Sequence, residues 1–254
     1  MQSAKEASTM TSQIKTCFKR YEKKYFLTPE QYKMFKERIS PYVKPDEYGR
    51  YTICNIYYDT DDYSLIRASI EKPEYKEKLR VRSYGVPDDD GKVFVELKKK
   101  YDGVVYKRRV TTSAGLYSSF LKGFAPAESK TQITKEIDYF QSFYRSTPKA
   151  FIAYDREAYA GAEDENLRIT FDTNIRYRLD ELDLRSGDHG EPILDDGKIL
   201  MEIKIPDVCP LFLSKILTEL KIYPTSFSKY GTCYRKYILK NNLEKFTKEA
   251  RLSA

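Results

Sequence analysis

Apolar and polar positions alternate with a period of two through several short stretches of this chain, the signature of strands with one buried face. In residues 78–82, Leu79 and Val81 face one way, and Arg80 and Arg82 the other. In residues 93–100, Val93, Val95 and Leu97 oppose Glu96, Lys98 and Lys100, so Lys98 and not Lys99 belongs to the polar face. In residues 104–110, Lys107 and Arg109 share a face and Arg108 takes the other, although a slip of one residue would exchange them. Ile169 and Phe171 oppose Arg168, Thr170 and Asp172; Met201, Ile203 and Ile205 oppose Glu202 and Lys204. The run Asp88-Asp89-Asp90-Gly91 reads as a hairpin turn between two of these strands. Helical signals lie between them. Thr28-Pro29-Glu30-Gln31 supplies an N-cap, a proline at the first helical position and a capping box, with the helix running to about Ile39 ahead of Pro41. Further helices are predicted near 61–68, 113–123, 132–144, 211–220 and 228–248, the last interrupted around Gly231. No Pro/Gly/Ser-rich linker divides the chain, which predicts one domain over 18–254 behind a loose tail, 1–17.

A single strand with charges on one face is normally half of a sheet wetted by solvent. Here the pattern repeats, and the polar faces are dominated by Arg and Lys at i, i+2. Like charges side by side on a face repel unless an anion lies between them. The economical arrangement is an α+β fold: a curved or closed antiparallel sheet with helices on its apolar outside and a wet cationic channel within. Arg and Lys in rows fit oxyanions, and the guanidinium fork fits phosphate in particular. Glu96 and Glu202 are out of place among them except as oxygen ligands for Mg²⁺ or Mn²⁺, which bridge phosphate oxygens.

Composition narrows the chemistry. The one histidine, His189, lies in the turn-like stretch RSGDHGEP, so a histidine zinc site is excluded. Neither GxxxxGK[ST] nor GxGxxG occurs, so a nucleotide would be held through its phosphates by side chains. Phosphoryl transfer asks for positioning and charge neutralisation, which this residue set can supply. The net charge of +7 favours an anionic partner. Nucleic acid is disfavoured, because the basic residues alternate with aliphatics and not with exposed stacking aromatics. The four cysteines are widely spaced without CxxC, no apolar run is long enough to span a bilayer, and no secretory h-region opens the chain, which predicts a cytoplasmic protein.

Eight segments occur in an order that resembles the VTC domain, the catalytic domain of the vacuolar transporter chaperone polyphosphate polymerase, within the triphosphate tunnel metalloenzymes. They are RYEKKY (20–25), NIYYDT (55–60), KLRVR (78–82), VELK (95–98), YDREAY (154–159), RITFD (168–172), MEIK (201–204) and SFSKY (226–230). The resemblance covers roughly residues 18–238. It implies a closed antiparallel eight-stranded tunnel, open at both ends, with basic walls. It also implies a metal-dependent polymerase that transfers the γ-phosphate of ATP to a growing polyphosphate chain and releases ADP. Carried over by motif, Lys24, Arg80, Arg82, Lys98, Lys107 or Arg109, Arg156, Arg168, Lys204 and Lys229 would line the tunnel, with Ser228 adding a hydrogen bond near its rim. Arg80, Arg82, Lys204 and Glu202 would be the catalytic set. Glu202 would hold the Mn²⁺ or Mg²⁺, with Glu96 and Glu22 as supporting ligands. The related triphosphatases open with ExExK; here Tyr21-Glu22-Lys23-Lys24 has a single glutamate, which leans away from a two-metal hydrolase. An inorganic or nucleoside triphosphatase and a non-catalytic polyphosphate binder are the other readings. No SPX domain or membrane helix accompanies the motifs, so a free-standing catalytic domain is expected; the residues give no oligomeric state.

Overall fold

The computed structural model describes residues 21–102, 104–123, 131–194, 197–205 and 208–240. The expected tail (1–17) and the end of the expected last helix (241–248) lie outside them. Strands β1 (Tyr21–Leu27), β2 (Val43–Asp59), β3 (Tyr75–Tyr84), β4 (Lys92–Tyr101), β5 (Val104–Ser113), β6 (Thr147–Gly161), β7 (Arg168–Arg178) and β9 (Ile199–Ile205) are long; β8 (Glu191–Pro192) and β10 (Pro224–Thr225) add two residues each. All pair antiparallel in one sheet of order β10-β1-β9-β7-β6-β2-β3-β4-β5, with β8 beside β7. Gly91 N–H closes the Asp88–Gly91 turn on Asp88 C=O (3.1 Å), and β3 and β4 pair from Arg82↔Phe94 to Tyr75↔Tyr101.

The eight long strands match the expected number, but the ladder is open: among the described residues no pairing joins β5 to β1. Like charges gather across the opening. Lys98 of β4 meets Lys24 of β1 and Lys204 of β9 as unfavourable like charges, with Glu22 as its favourable neighbour. The sheet still curls far enough for these side chains to share one space. A cavity of about 660 Å³ lies across the gap, lined by Glu22 and Lys24 on one side and Lys76 and Lys100 on the other.

Helices cover the convex face. α1 (Pro29–Ile39) carries the predicted capping box, with Gln31 N–H donating to Thr28 Oγ1 and Thr28 N–H to Gln31 Oε1. Its Phe35 and Ile39, with Leu213 and Leu217 of α5 (Leu211–Glu219), pack on Leu27, Ile169, Phe171, Met201 and Ile203. α3 (Tyr117–Leu121) and α4 (Gln132–Tyr144) pack Phe120, Ile137 and Phe140 on Ile56, Leu79, Val81, Val95 and Leu97. α3 is shorter than the 113–123 predicted because β5 continues to Ser113. α2 (Ser64–Glu71) follows β2. No helix among the described residues is long and apolar enough to cross a membrane. Cys54, Cys209 and Cys233 are free thiols, and His189 is an exposed loop residue.

The concave face divides in two, unlike the evenly wet channel expected. One half is filled by α6 (Lys229–Cys233) and the π-helical turn Tyr234–Ile238 that continues it. Tyr230, Cys233, Tyr234 and Ile238 pack there on Ile53, Tyr57, Ile152, Ile175 and Leu200. Tyr57 and Tyr230 stack at 4.8 Å, and Tyr230 Oη donates to the buried carboxylate of Asp59 (3.0 Å). A bore open at both ends is therefore not what the chain forms in this half. The other half is ionic.

Candidate active site: the ionic half of the concave face

Strand parity turns Lys78, Arg80 and Arg82 of β3, Glu96 and Lys98 of β4, and Lys107 and Arg109 of β5 to the same side. Both Lys107 and Arg109 face inward, and Arg108 points out to Glu136 of α4 (3.2 Å). Glu96, 2% exposed, is the anionic centre of this group. It accepts from Arg80 Nε (2.8 Å) and from Arg109 Nε (2.8 Å) and Nη2 (2.5 Å), and pairs with Lys107 (2.7 Å) and, at 4.0 Å, with Arg82. Burial by itself would raise its pKa; Arg80, Arg82 and Lys107 override burial and hold it far below the usual carboxylate range. Arg82 is fixed by donating to Asn55 Oδ1 (2.9 Å) and Tyr154 Oη (3.1 Å).

A second centre forms where β6, β7 and α6 meet. Asp172, fully buried, takes a fork-to-fork pair from Arg156 (2.6 and 2.8 Å) and a third bond from Lys229 Nζ (2.6 Å). Lys229 also lies 4.2 Å from the centre of the Tyr154 ring, a cation–π contact. A third centre is Glu202 on β9, with Lys24 (3.6 Å), Lys229 (3.8 Å), Arg156 (3.9 Å) and Lys204 (4.0 Å) around it. Burial opposes its ionisation, and Lys229, Lys24 and Arg156 reverse that, keeping it charged well into acid. Lys24 also reaches Glu22 (3.4 Å), so one ammonium lies within 3.6 Å of both carboxylates, and it donates to Phe227 C=O (3.0 Å).

Several inward cations, Lys78, Lys98 and Arg168 with Lys76 and Lys100 at the cavity, have no carboxylate within salt-bridge distance among the described residues. Arg168 stands directly across the ladder from Lys204, another cation. Burial and its lysine neighbours Lys98 and Lys76 push the Lys78 ammonium down to about 8. The ionic half is thus over-supplied with positive charge, and a bound anion would relieve it.

The structure brings the expected phosphate-binding residues Lys24, Arg80, Arg82, Lys98, Lys107, Arg109, Arg156, Arg168, Lys204 and Lys229 onto this one face. Ser228 stands at the start of α6, where its Oγ accepts the Gly231 N–H (3.1 Å) and caps the helix. Glu96 does not suit a metal ligand, since four cations occupy its surroundings. Glu202 and Glu22 do suit one: they offer hard oxygen donors on adjacent strands, and Mg²⁺ is commonly held by one or two carboxylates with substrate phosphates completing the shell. The buried Thr170 Oγ1, which lacks a hydrogen-bond partner, sits directly across the ladder from Glu202. No group of three or more potential metal-ligating side chains occurs among the described residues. Sequence reasoning did not single out Asp172, Lys78, Asn55 or Tyr154. Asp172 and Lys78 carried a usable signal, because they lie on the polar parity of strands already read; Asn55 and Tyr154 sit in apolar runs without one.

The chain was compared with known proteins. The sequence model of the VTC domain matches residues 19–238. The vacuolar transporter chaperone complex subunit 4 of Schizosaccharomyces pombe is 27% identical over 159 residues, covering 54% of this chain and 22% of that protein, so the chain spans about a fifth of that relative's length. Among solved structures, an adenylate cyclase candidate from Bacillus halodurans superposes with a TM-score of 0.55 at 13% identity, covering 87% of this chain and 99% of the other. An adenylyl cyclase candidate from Hippeastrum, described as having a dominant triphosphatase activity, gives 0.50 at 16% identity, covering 84% and 94%. These likenesses are in fold alone. The family match runs from the strand that carries Glu22 and Lys24 to the π turn behind Lys229, which is the whole of the site, and the chain belongs to the VTC domain family.

Proposed function

We propose that this protein is a metal-dependent phosphotransferase that grips a triphosphate in the ionic half of the concave face and extends polyphosphate from ATP. The observation that carries this reading is the surplus of inward cations, of which Lys78, Lys98 and Arg168 lack a carboxylate partner among the described residues. Arg80, Arg82, Lys107 and Arg109 are preset around Glu96 with their guanidinium and ammonium donors already ordered, so little reorganisation accompanies arrival of phosphate oxygens. Arg156 and Lys229, anchored on Asp172, hold the far side. Lys204 and Lys24 flank Glu202. Glu202, assisted by Glu22, would hold Mg²⁺ or Mn²⁺; when bound, such an ion would supply positive charge to neutralise that of the phosphates. The transfer breaks the bond between the β,γ-bridging oxygen and the γ-phosphorus of ATP. It forms one from a terminal polyphosphate oxygen to that phosphorus, and ADP leaves.

Hydrolysis differs only in the acceptor. Incubating the protein with ATP and Mn²⁺ or Mg²⁺ and resolving the products on a gel tests the proposal. A polyphosphate ladder with ADP is expected. Free phosphate without a ladder would make the protein a triphosphatase, and tight polyphosphate binding without turnover under any divalent ion would make it a binder.

A further inference from the structure

Beyond the cation cluster on the concave face, the inward row of β3 changes character: after Lys78, Arg80 and Arg82 comes Tyr84. Phe94 takes the same place on β4 after Lys98 and Glu96, directly across from Arg82, and Tyr51 does so on β2. These rings form a continuous arc. Tyr51 and Tyr84 meet edge-on at 5.8 Å, Tyr84 and Phe94 at 5.7 Å, and Tyr48 extends the arc to Tyr51 at 6.0 Å. The arc abuts the guanidinium cluster: Arg109 lies 4.5 Å from the centre of Phe94, and Tyr51 is register partner to Arg156. Tyr84 is 49% exposed and Tyr48 69%, so their faces are open to a ligand. Tyrosines in a packed barrel wall would be covered by helices; Tyr51, Tyr84 and Phe94 share the inward parity of the concave side.

From this placement we infer that the arc is the nucleoside subsite of the phosphotransferase proposed above: the base of a nucleoside triphosphate stacks on Tyr84 and its aromatic neighbours while its phosphates lie among Arg82, Arg109 and Arg80. The inference rests on that reading of the ionic half. Base stacking on aromatics discriminates poorly between bases, because every base offers a π face. ATP and GTP should therefore be held alike, and inorganic tripolyphosphate should ignore the arc.

The chain contains no tryptophan, which makes a clean test available. In Tyr84→Trp the introduced indole is the sole tryptophan emitter. Titration with a non-hydrolysable ATP analogue should quench it saturably, and tripolyphosphate should not. Calorimetry on Tyr84→Ala should show affinity for the analogue falling by roughly ten-fold or more with that for tripolyphosphate unchanged, and Tyr84→Phe should retain wild-type affinity. Equal losses for both ligands in Tyr84→Ala, or unchanged analogue affinity, would overturn the inference. Wild-type protein that binds tripolyphosphate as tightly as the analogue would overturn it too and leave the phosphate-gripping reading intact. Wild-type protein that binds neither would overturn both.

Discussion

Substituting Glu96 by Gln should weaken the fold and strengthen its hold on anions at once. The carboxylate is 2% exposed and is ringed by Arg80, Arg82, Lys107 and Arg109. Removing one member of a buried ionic cluster leaves its partners uncompensated, at about 3–5 kcal/mol. Lys107 and Arg109 have side chains 46% and 36% exposed, so water screens their share, and Arg80 and Arg82 dominate the loss. That places the expected destabilisation near the lower end, about 3 kcal/mol. Glu96 also competes with phosphate for the same guanidinium donors, so tripolyphosphate should bind Glu96→Gln more tightly than wild type. At one hundred times its Kd a ligand adds about 2.7 kcal/mol, enough to restore most of the deficit. Urea denaturation of both proteins, with and without tripolyphosphate and with no divalent cation, measures each quantity. The reasoning fails if the variant is as stable as wild type, or if its tripolyphosphate affinity drops. A drop accompanied by lost response to Mg²⁺ would return Glu96 to the role of metal ligand.

The remaining predictions concern the other charged centres. Asp172→Asn should cost about 3–5 kcal/mol, at the upper end because Arg156 and Lys229 are themselves buried. Burial resists ionisation of Asp172, but Lys229 and Arg156 outweigh it and lower its pKa below the usual 3.8, so its contribution is present above that value and is lost as the pH falls through the folded pKa; acid titration of wild type against Asp172→Asn reads the difference. Lys78 goes the opposite way. Its folded pKa is about 8 against an ordinary 10.5, so between these values the unfolded chain binds more protons and unfolding free energy climbs with pH, by at most about 3 kcal/mol. Denaturation at pH 8 and 10.5 should show this climb reduced in Lys78→Met, and an undiminished climb would mean that Lys78 is ordinary. Glu202→Gln should abolish turnover while circular dichroism and tripolyphosphate binding persist, and full activity in that variant would remove Glu202 from the metal site.

The alternating strands were legible because one of their faces is ionic. β3, β4, β7 and β9 each set apolar residues against Arg, Lys, Asp or Glu, and the structure places those faces where parity assigns them; β5, with charges on both faces, was settled only by its pairing with β4. β2 and β6 gave no alternation, and their burial explains it. Residues 53–59 and 150–154 are buried on both faces, by α3 and α4 outside and by α6 inside, so both sides of each strand are apolar. The same cause hid the packed half of the concave face: nothing in the local pattern says that a segment near residue 230 folds back against strands beginning near 43 and 147. The open ladder was equally invisible, since pairing between strands distant in sequence leaves no mark on local alternation. Pairing also changes how one glutamate reads. Glu96 looked like a metal ligand when β4 was read by itself, and the cross-strand arrival of Arg80 and Arg109 makes it the anchor of a cation cluster.

β1 is hydrogen-bonded to β9 and β10 and to no other strand among the described residues, so it leaves the ribosome with its partners made some 180 residues later. At cellular elongation rates the wait is roughly 10–40 s, long beside most folding events. In that interval Tyr25 and Leu27 have α1, synthesised immediately afterwards, to shelter against, while the hydrogen-bonding edge stays bare. Lys23 and Lys24 put two positive charges on that strand, a feature that disfavours its pairing with the same strand of a neighbouring nascent chain.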